Sequence, residues 1–377
     1  MNGQQLRPGL EGVTVAETRL SDIDGETGEL VIGGFPVETL ATNAAYEETL
    51  FVLLHDRLPT AAERDAIRDD LAERRGLCEQ AHAVVRRAAE DGEPAMDALR
   101  MGLAAASLDA DCGDDRTTAT RVVAVVPTIV AAYRRYCEGE SPVAPDPALD
   151  HVENYLAMLT GDTPEAHAVR GLETYLNTVV DHGLNASTFT ARTVVSTESD
   201  LVSAATAAVG ALKGPLHGGA PGPVLEMLKT VHQTGDPERF VRETLEAGER
   251  LMGFGHRVYR VRDPRAEVLS TAAERFYAAA DGTDFYDTVE QFERVALDIL
   301  ADHKPDRRLA TNVEFYTAAL LHGVGVPREL FTPTFAVARA GGWMAHCLEQ
   351  LDDNRLIRPV SRYVGGTDRT WTPVGER

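Results

Sequence analysis

The chain has 377 residues, with 37 lysines and arginines against 59 aspartates and glutamates, a formal charge of −22. So anionic a surface repels the phosphates that nucleic-acid binders hold through cationic side chains, which excludes DNA or RNA as a first choice of partner. At 44% hydrophobic and 25% charged, the composition is that of a globular protein with a large core and excludes a disordered chain.

Taken in chain order, the N-terminal stretch MNGQQLRPGLEGV lacks the apolar run of a signal peptide. Tyr46, Leu50, Leu53 and Leu54 then recur at steps of three and four, which predicts an amphipathic helix. Thr60 followed by Glu63 reads as a capping box at the start of the next helix. Met96, Leu99, Leu103 and Ala106 repeat the helical spacing. Residues 111–115, acidic around Gly113, read as a loop, and so do residues 141–147, which hold three prolines. Pro127, inside an otherwise helical run, predicts a kink. Thr163-Pro164 reads as an N-cap followed by proline at the first helical position. The longest uncharged runs, 122–133 and 201–212, fall well short of the roughly 20 residues that a membrane helix needs. Strand-like alternation is scarce throughout, so the chain reads as helical.

Four scattered cysteines (Cys78, Cys112, Cys137, Cys347) without CxxC spacing suggest neither a disulfide framework nor a zinc site. Together with the missing leader and membrane span, this points to a reduced, soluble, cytoplasmic protein. Eleven histidines include no HExxH, so no metal site is expected, and neither a phosphate loop nor a dinucleotide fingerprint is present.

The middle of the chain changes character. Glycines flank His217 in Gly214-Pro-Leu-His217-Gly-Gly and His256 in Gly253-Phe-Gly-His256. Such turns expose a histidine at a helix end and let the backbone approach a ligand. The segment from His256 to Arg265 carries four arginines and one aspartate, against the sign of the whole chain. Guanidinium forks bind carboxylates and phosphates, so this segment reads as a site for small anions. Arg339, Arg358 and the group Lys304, Arg307 and Arg308 are further candidates.

These residues stand in an order that resembles the citrate synthase family. The resemblance is carried by Asp181-His182-Gly-Leu-Asn185-Ala-Ser187 with Arg192, by Lys213-Gly-Pro-Leu-His217, by Gly253-Phe-Gly-His256 with Arg260, by Asp263-Pro264-Arg265, by Asn312-Val-Glu314-Phe-Tyr316, by Phe331-Thr-Pro-Thr-Phe335, and by Arg358-Pro359. It extends from about Pro36 to Tyr363. The short length is similar to the archaeal and Gram-positive type, which is usually dimeric.

The resemblance implies an all-α fold with a large helical domain (1–213 and 324–377), a small one (214–323) and the active site in the cleft between them, closing on oxaloacetate. It implies condensation of acetyl-CoA with oxaloacetate and water to citrate and CoA, with no separate cofactor. His217 would stabilise the enol of the thioester. His256 would polarise the ketone of oxaloacetate. Glu314, where the family usually has aspartate, would remove the methyl proton. His182, Arg265 and Arg339 would hold carboxylates, with Arg358 supplied by the partner subunit of a homodimer, and Arg260, Arg307 and Asn312 would bind CoA. Gly33-Gly34-Phe35-Pro36 departs from the Arg-Gly-Tyr type of turn the family often has there. The closest alternative is 2-methylcitrate synthesis from propionyl-CoA; a more distant one is a catalytically weak member acting as an interaction protein. An acidic, lysine-poor exterior around a basic cleft suggests adaptation to high salt.

Overall fold

The computed structural model describes residues 6–106, 113–218, 221–255, 259, 261–280, 282–303 and 309–377. Near the N-terminus, β1 (Ser21–Asp24), β2 (Glu29–Ile32) and β3 (Phe35–Pro36) form an antiparallel sheet in the order β1-β2-β3, with Ser21 opposite Ile32 and Asp24 opposite Glu29. The turn between β1 and β2 is built on Asp24, whose carboxylate accepts from the Glu26 and Thr27 amides. Among the described residues, everything else regular is helical.

The first helices are α1 (Val37–Asn43), α2 (Tyr46–His55), α3 (Ala61–Arg74), α4 (Glu79–Glu90), α5 (Ala95–Ala105) and α6 (Asp115–Cys137). They are followed by α7 (His151–Thr160), α8 (Ala166–Val179), α9 (Ala186–Val195), α10 (Leu201–Leu212) and α11 (Pro221–Thr234). The last are α12 (Pro237–Glu246), α13 (Pro264–Ala279), α14 (Asp284–His303), α15 (Val313–Gly323) and α16 (Phe331–Asp352). The apolar stripes read for α2 and α5 are buried. Thr60 forms the expected capping box with Glu63. One expectation is corrected: α8 starts at Ala166 and not beside Thr163-Pro164, because Glu165 is extended and its carbonyl takes the first helical bonds, from Ala168 and Val169.

Two long helices organise the core. α6 is buried on nearly every face from Val122 to Ala132 and continues through Pro127, which has no N–H to donate to Val123. α16 packs on α6, α9, α10, α8 and α2. Small residues in α16 allow that density: a Cβ on Gly342 would lie 2.3 Å from the Val180 carbonyl oxygen. The turn carrying Asp181 and His182 is thereby pressed against α16. Helices α11 to α15, which lie in the expected small domain, pack on one another, and α13 also lies on α8 and α1.

Candidate active site

The turn that ends α10 is closed by the His217 and Gly218 amides, both donating to the Gly214 carbonyl. Its neighbour Leu216 is 91% exposed, but His217 itself is half-buried and turned inward. Its Nε2 meets Ser187 at the start of α9, 3.2 Å from the amide nitrogen and 2.8 Å from Oγ. An amide can only donate, so Nε2 is an acceptor and the ring proton belongs on Nδ1. Asn185, the N-cap of α9, accepts from the Ser187 and Thr188 amides, and Trp343 donates from Nε1 to Ser187 Oγ at 3.1 Å. Burial, reinforced by the Arg339 charge, pushes the His217 pKa down to about 4. His217 is therefore a neutral imidazole offering one N–H at neutral pH.

On the other side, the strand-like segment before His256 is pinned to the start of α15. Gly255 donates to the Ala310 carbonyl, Asn312 donates to Gly253, and Phe254 pairs with Thr311. Gly253 sits at φ +86°, and a Cβ there would lie 2.9 Å from the Phe315 ring, so only glycine fits. The Asn312 side chain caps α15 by accepting from the Glu314 amide and donates to the Gly255 carbonyl. Glu314 follows in the first turn of α15, and among the described residues its carboxylate has no hydrogen-bonded side-chain partner. Burial lifts its pKa to about 7, against the pull of Arg265.

Two guanidiniums share this interior. Arg265, only 4% exposed, is held by Asp263 through Nε at 3.0 Å and Nη2 at 2.9 Å. Burial opposes its charge, but the Asp263 carboxylate outweighs burial and keeps it protonated. Arg339 on α16, 2% exposed, lies over the Phe335 ring, its carbon 4.8 Å from the centroid. Its Nε and Nη1 have no hydrogen-bond partner among the described residues. Burial lowers its pKa to about 10, leaving it charged at neutral pH. His182 Nε2 lies 3.1 Å from the Tyr259 hydroxyl.

His182, His217, Arg265, Asn312, Glu314 and Arg339 line one cavity of about 300 Å³. Arg358 does not reach it: exposed in the segment after α16, it borders a separate surface groove with Arg19, Arg192 and Arg355. His256, Arg260 and Arg307 lie outside the described residues. The motif reading quoted Asn185, Ser187, Asp263 and Phe335 without giving them work; they support His217, Arg265 and Arg339. Trp343 was missed altogether, although a tryptophan directly after Gly341-Gly342 is a sign of a large ring held at a close helix crossing. Among the described residues, no group of three or more His, Cys, Asp or Glu side chains could hold a metal ion.

The arrangement sets a carboxyl poised near neutrality and a neutral imidazole donor around a space with two buried cations. A carboxylate can remove a weakly acidic C–H proton only if the developing oxyanion is stabilised in the same step, and a donor fixed beforehand does that at little reorganisation cost. The unsatisfied Arg339 edge calls for an anionic group in the same space.

A family model described as citrate synthase, C-terminal domain, matches residues 9–360. The chain belongs to the citrate synthase family. It is 45% identical to a citrate synthase of Haloferax volcanii, with all of both chains covered. A 2-methylcitrate synthase of Shewanella oneidensis is 34% identical, covering 98% of this chain and 97% of the relative. Among solved structures, citrate synthase from Pyrobaculum aerophilum superposes with a TM-score of 0.89 at 34% identity, covering 98% of this chain and 95% of that one. The citrate synthase of Thermoplasma acidophilum, in a ternary complex with carboxymethyl coenzyme A and oxaloacetate, gives 0.88 at 29% identity, covering 99% and 100%.

Proposed function

We propose that this enzyme condenses acetyl-CoA with oxaloacetate and water to give citrate and free CoA, the entry reaction of the tricarboxylic acid cycle. The observation that carries the reading is that Glu314, His217, Arg265 and Arg339 line one cavity. In this reaction Glu314 takes a methyl proton of the thioester while His217 Nδ1–H holds the enolate oxygen. The nucleophilic carbon attacks the oxaloacetate ketone, with His256 as the donor to the forming alkoxide, and water then cleaves citryl-CoA. The unpartnered Arg339 edge takes a carboxylate of the dianionic acceptor, with Arg265 and His182 beside it. Enolisation, carbon–carbon bond formation and thioester hydrolysis ask for no group beyond the thioester itself, so no separate cofactor is assigned. CoA phosphates fall to Arg260 and Arg307.

Two features extend the reading. Segment 214–323 acts as a small domain that closes on oxaloacetate, His182 and Tyr259 being a contact across the closing cleft. The working unit is a homodimer, which lets Arg358 serve the partner's cavity. The exposed Tyr363, Val364 and Trp371 after α16 support this, since they leave apolar surface that a second subunit covers. The enzyme acts in the cytoplasm of a salt-adapted organism; the charge of −22 and the similarity to a Haloferax relative support that placement.

The test is release of CoA thiol with acetyl-CoA and oxaloacetate together and with neither alone. Propionyl-CoA is the control for the rival reading, favoured less because the more similar relatives are named citrate synthase. A higher kcat/KM for propionyl-CoA would establish 2-methylcitrate synthesis instead, and no thiol release with either would leave an interaction protein.

A further inference from the structure

Five apolar or hydroxyl-bearing residues of the cavity wall are borne by three helices. Tyr175 and Val179 come from α8, Val313 and Thr317 from α15 and Phe335 from α16, and all but Phe335 are less than a tenth exposed. α8 packs on both α15 and α16, and close packing leaves these walls little room to yield once the site is closed. Glu314 differs from the wall residues. Its carboxyl stands on two rotatable methylenes, it projects from the first turn of α15, and no described side chain fixes it by hydrogen bonding.

A carboxylate that removes a C–H proton must stand within about 3 Å of that carbon. The reach of residue 314 therefore decides how far the α-carbon of the acyl group stands from α15, and so how much room is left before the opposite walls. Relative to an aspartate on the same backbone, glutamate advances its carboxylate by one carbon–carbon bond, about 1.5 Å. We infer that Glu314 is the specificity-determining residue for acyl length: its extra methylene fills the space that a third acyl carbon would occupy, so the cavity takes acetyl and rejects propionyl thioesters. The inference rests on the condensing reading above and names the substrate limit of the same site.

The test compares kcat/KM for propionyl-CoA and acetyl-CoA, with oxaloacetate, in wild type, Glu314→Asp and Val179→Ala. Using a ratio removes any general loss of activity in the variants. Glu314→Asp is expected to raise the propionyl-to-acetyl ratio at least about tenfold, within the range of roughly 10 to 200 that one methylene commands in an apolar pocket. Val179→Ala opens the opposite wall and is expected to raise the ratio too, but by a smaller factor than Glu314→Asp, since it leaves the carboxylate, and with it the α-carbon, where it is. A ratio unmoved in Glu314→Asp, or moved more by Val179→Ala, overturns the inference. A second pair needs no turnover: with oxaloacetate present, Glu314→Asn should bind propionyl-CoA relative to acetyl-CoA better than the full-length Glu314→Gln does, and equal ratios in the two count against it. The wild type separates the levels. Thiol release with neither acyl-CoA overturns the condensing reading itself, whereas an active wild type with an unmoved ratio in the aspartate variant overturns only the acyl-length limit.

Discussion

The Ser187 amide lies 3.2 Å from Nε2 of His217, and the Ser187 hydroxyl lies 2.8 Å from the same nitrogen. Nε2 is thus surrounded by donors, and the imidazole is held with its proton on Nδ1. The hydroxyl oxygen is in turn held by Trp343, whose Nε1–H donates to it. Replacing Ser187 by alanine keeps the amide but releases the ring to turn. A displacement of about 1 Å at a catalytic group costs on the order of a hundredfold. The expected outcome is a fall in kcat of about tenfold to a hundredfold, with the KM for oxaloacetate within about twofold and partial recovery in Ser187→Thr. A fall in oxaloacetate affinity with kcat unchanged would show that Ser187 serves the acceptor and not His217.

Glu314 gives the enzyme an acid limit. Its carboxyl is lifted by burial to about 7, and the base is the ionised form. Below that value kcat/KM should fall about tenfold per pH unit. The sign for stability runs the other way. The folded-state value lies above the ordinary 4.5, so the contribution to stability is present below about 4.5 and lost as pH rises through about 7. Glu314→Gln should therefore abolish thiol release and yet stabilise the fold at pH 8, on the order of 3 kcal/mol, which is read as a higher thermal midpoint. A pH profile level down to 5, or a glutamine variant less stable at pH 8, would contradict this.

How much of this was legible in the sequence differs from element to element. α2 and α5 were readable because their large apolar residues recur at helical spacing, although both helices are buried well beyond that stripe, Thr49, Phe51 and Val52 in α2 included. The hairpin of β1 and β2 was not, because strands of four residues, one of them Ser-Asp-Ile-Asp, alternate too briefly to stand out. The start of α8 was misplaced because Thr163-Pro164 carries a cap pattern that tertiary packing leaves unused. His217, Arg265 and Glu314 could be named from glycine spacing, local charge and motif order. Their protonation could not, since it depends on burial and on partners such as Trp343 and Ser187, which are 156 residues apart.

Asn312 joins two loops at the site, and its side chain is engaged on both faces. Alanine there removes the cap of α15 and the tie to the Gly255 carbonyl. Loss of such a cap costs roughly 1 kcal/mol, and the orphaned carbonyl adds a comparable amount. The thermal midpoint of Asn312→Ala should drop accordingly, and kcat should fall because Glu314 begins the helix that Asn312 caps. A direct CoA contact predicts a different result, a raised KM for acetyl-CoA with kcat and stability preserved. Acetyl-CoA titrations give KM and kcat, and a thermal melt of the same variant gives the third quantity.

The charge of −22 fixes how the protein should respond to salt. Two opposing terms are screened. Surface ion pairs are weakened: Arg239 with Glu243 and Arg242 with Glu238 on α12 are all more than half exposed, and such helix pairs are worth only about 0.3–0.5 kcal/mol each. Repulsion among the excess carboxylates is relieved at the same time, and it acts over the whole surface. The screening length falls from about 8 Å at physiological ionic strength to about 3 Å at 1 M, so the long-range repulsion is removed while contacts below 3 Å keep part of their strength. Relief should win. The thermal midpoint is expected to climb steadily with KCl up to molar concentrations, and thiol release should rise with it. A midpoint that is flat or falls between 0.1 and about 2 M KCl would show that ion pairing, and not self-repulsion, governs this surface.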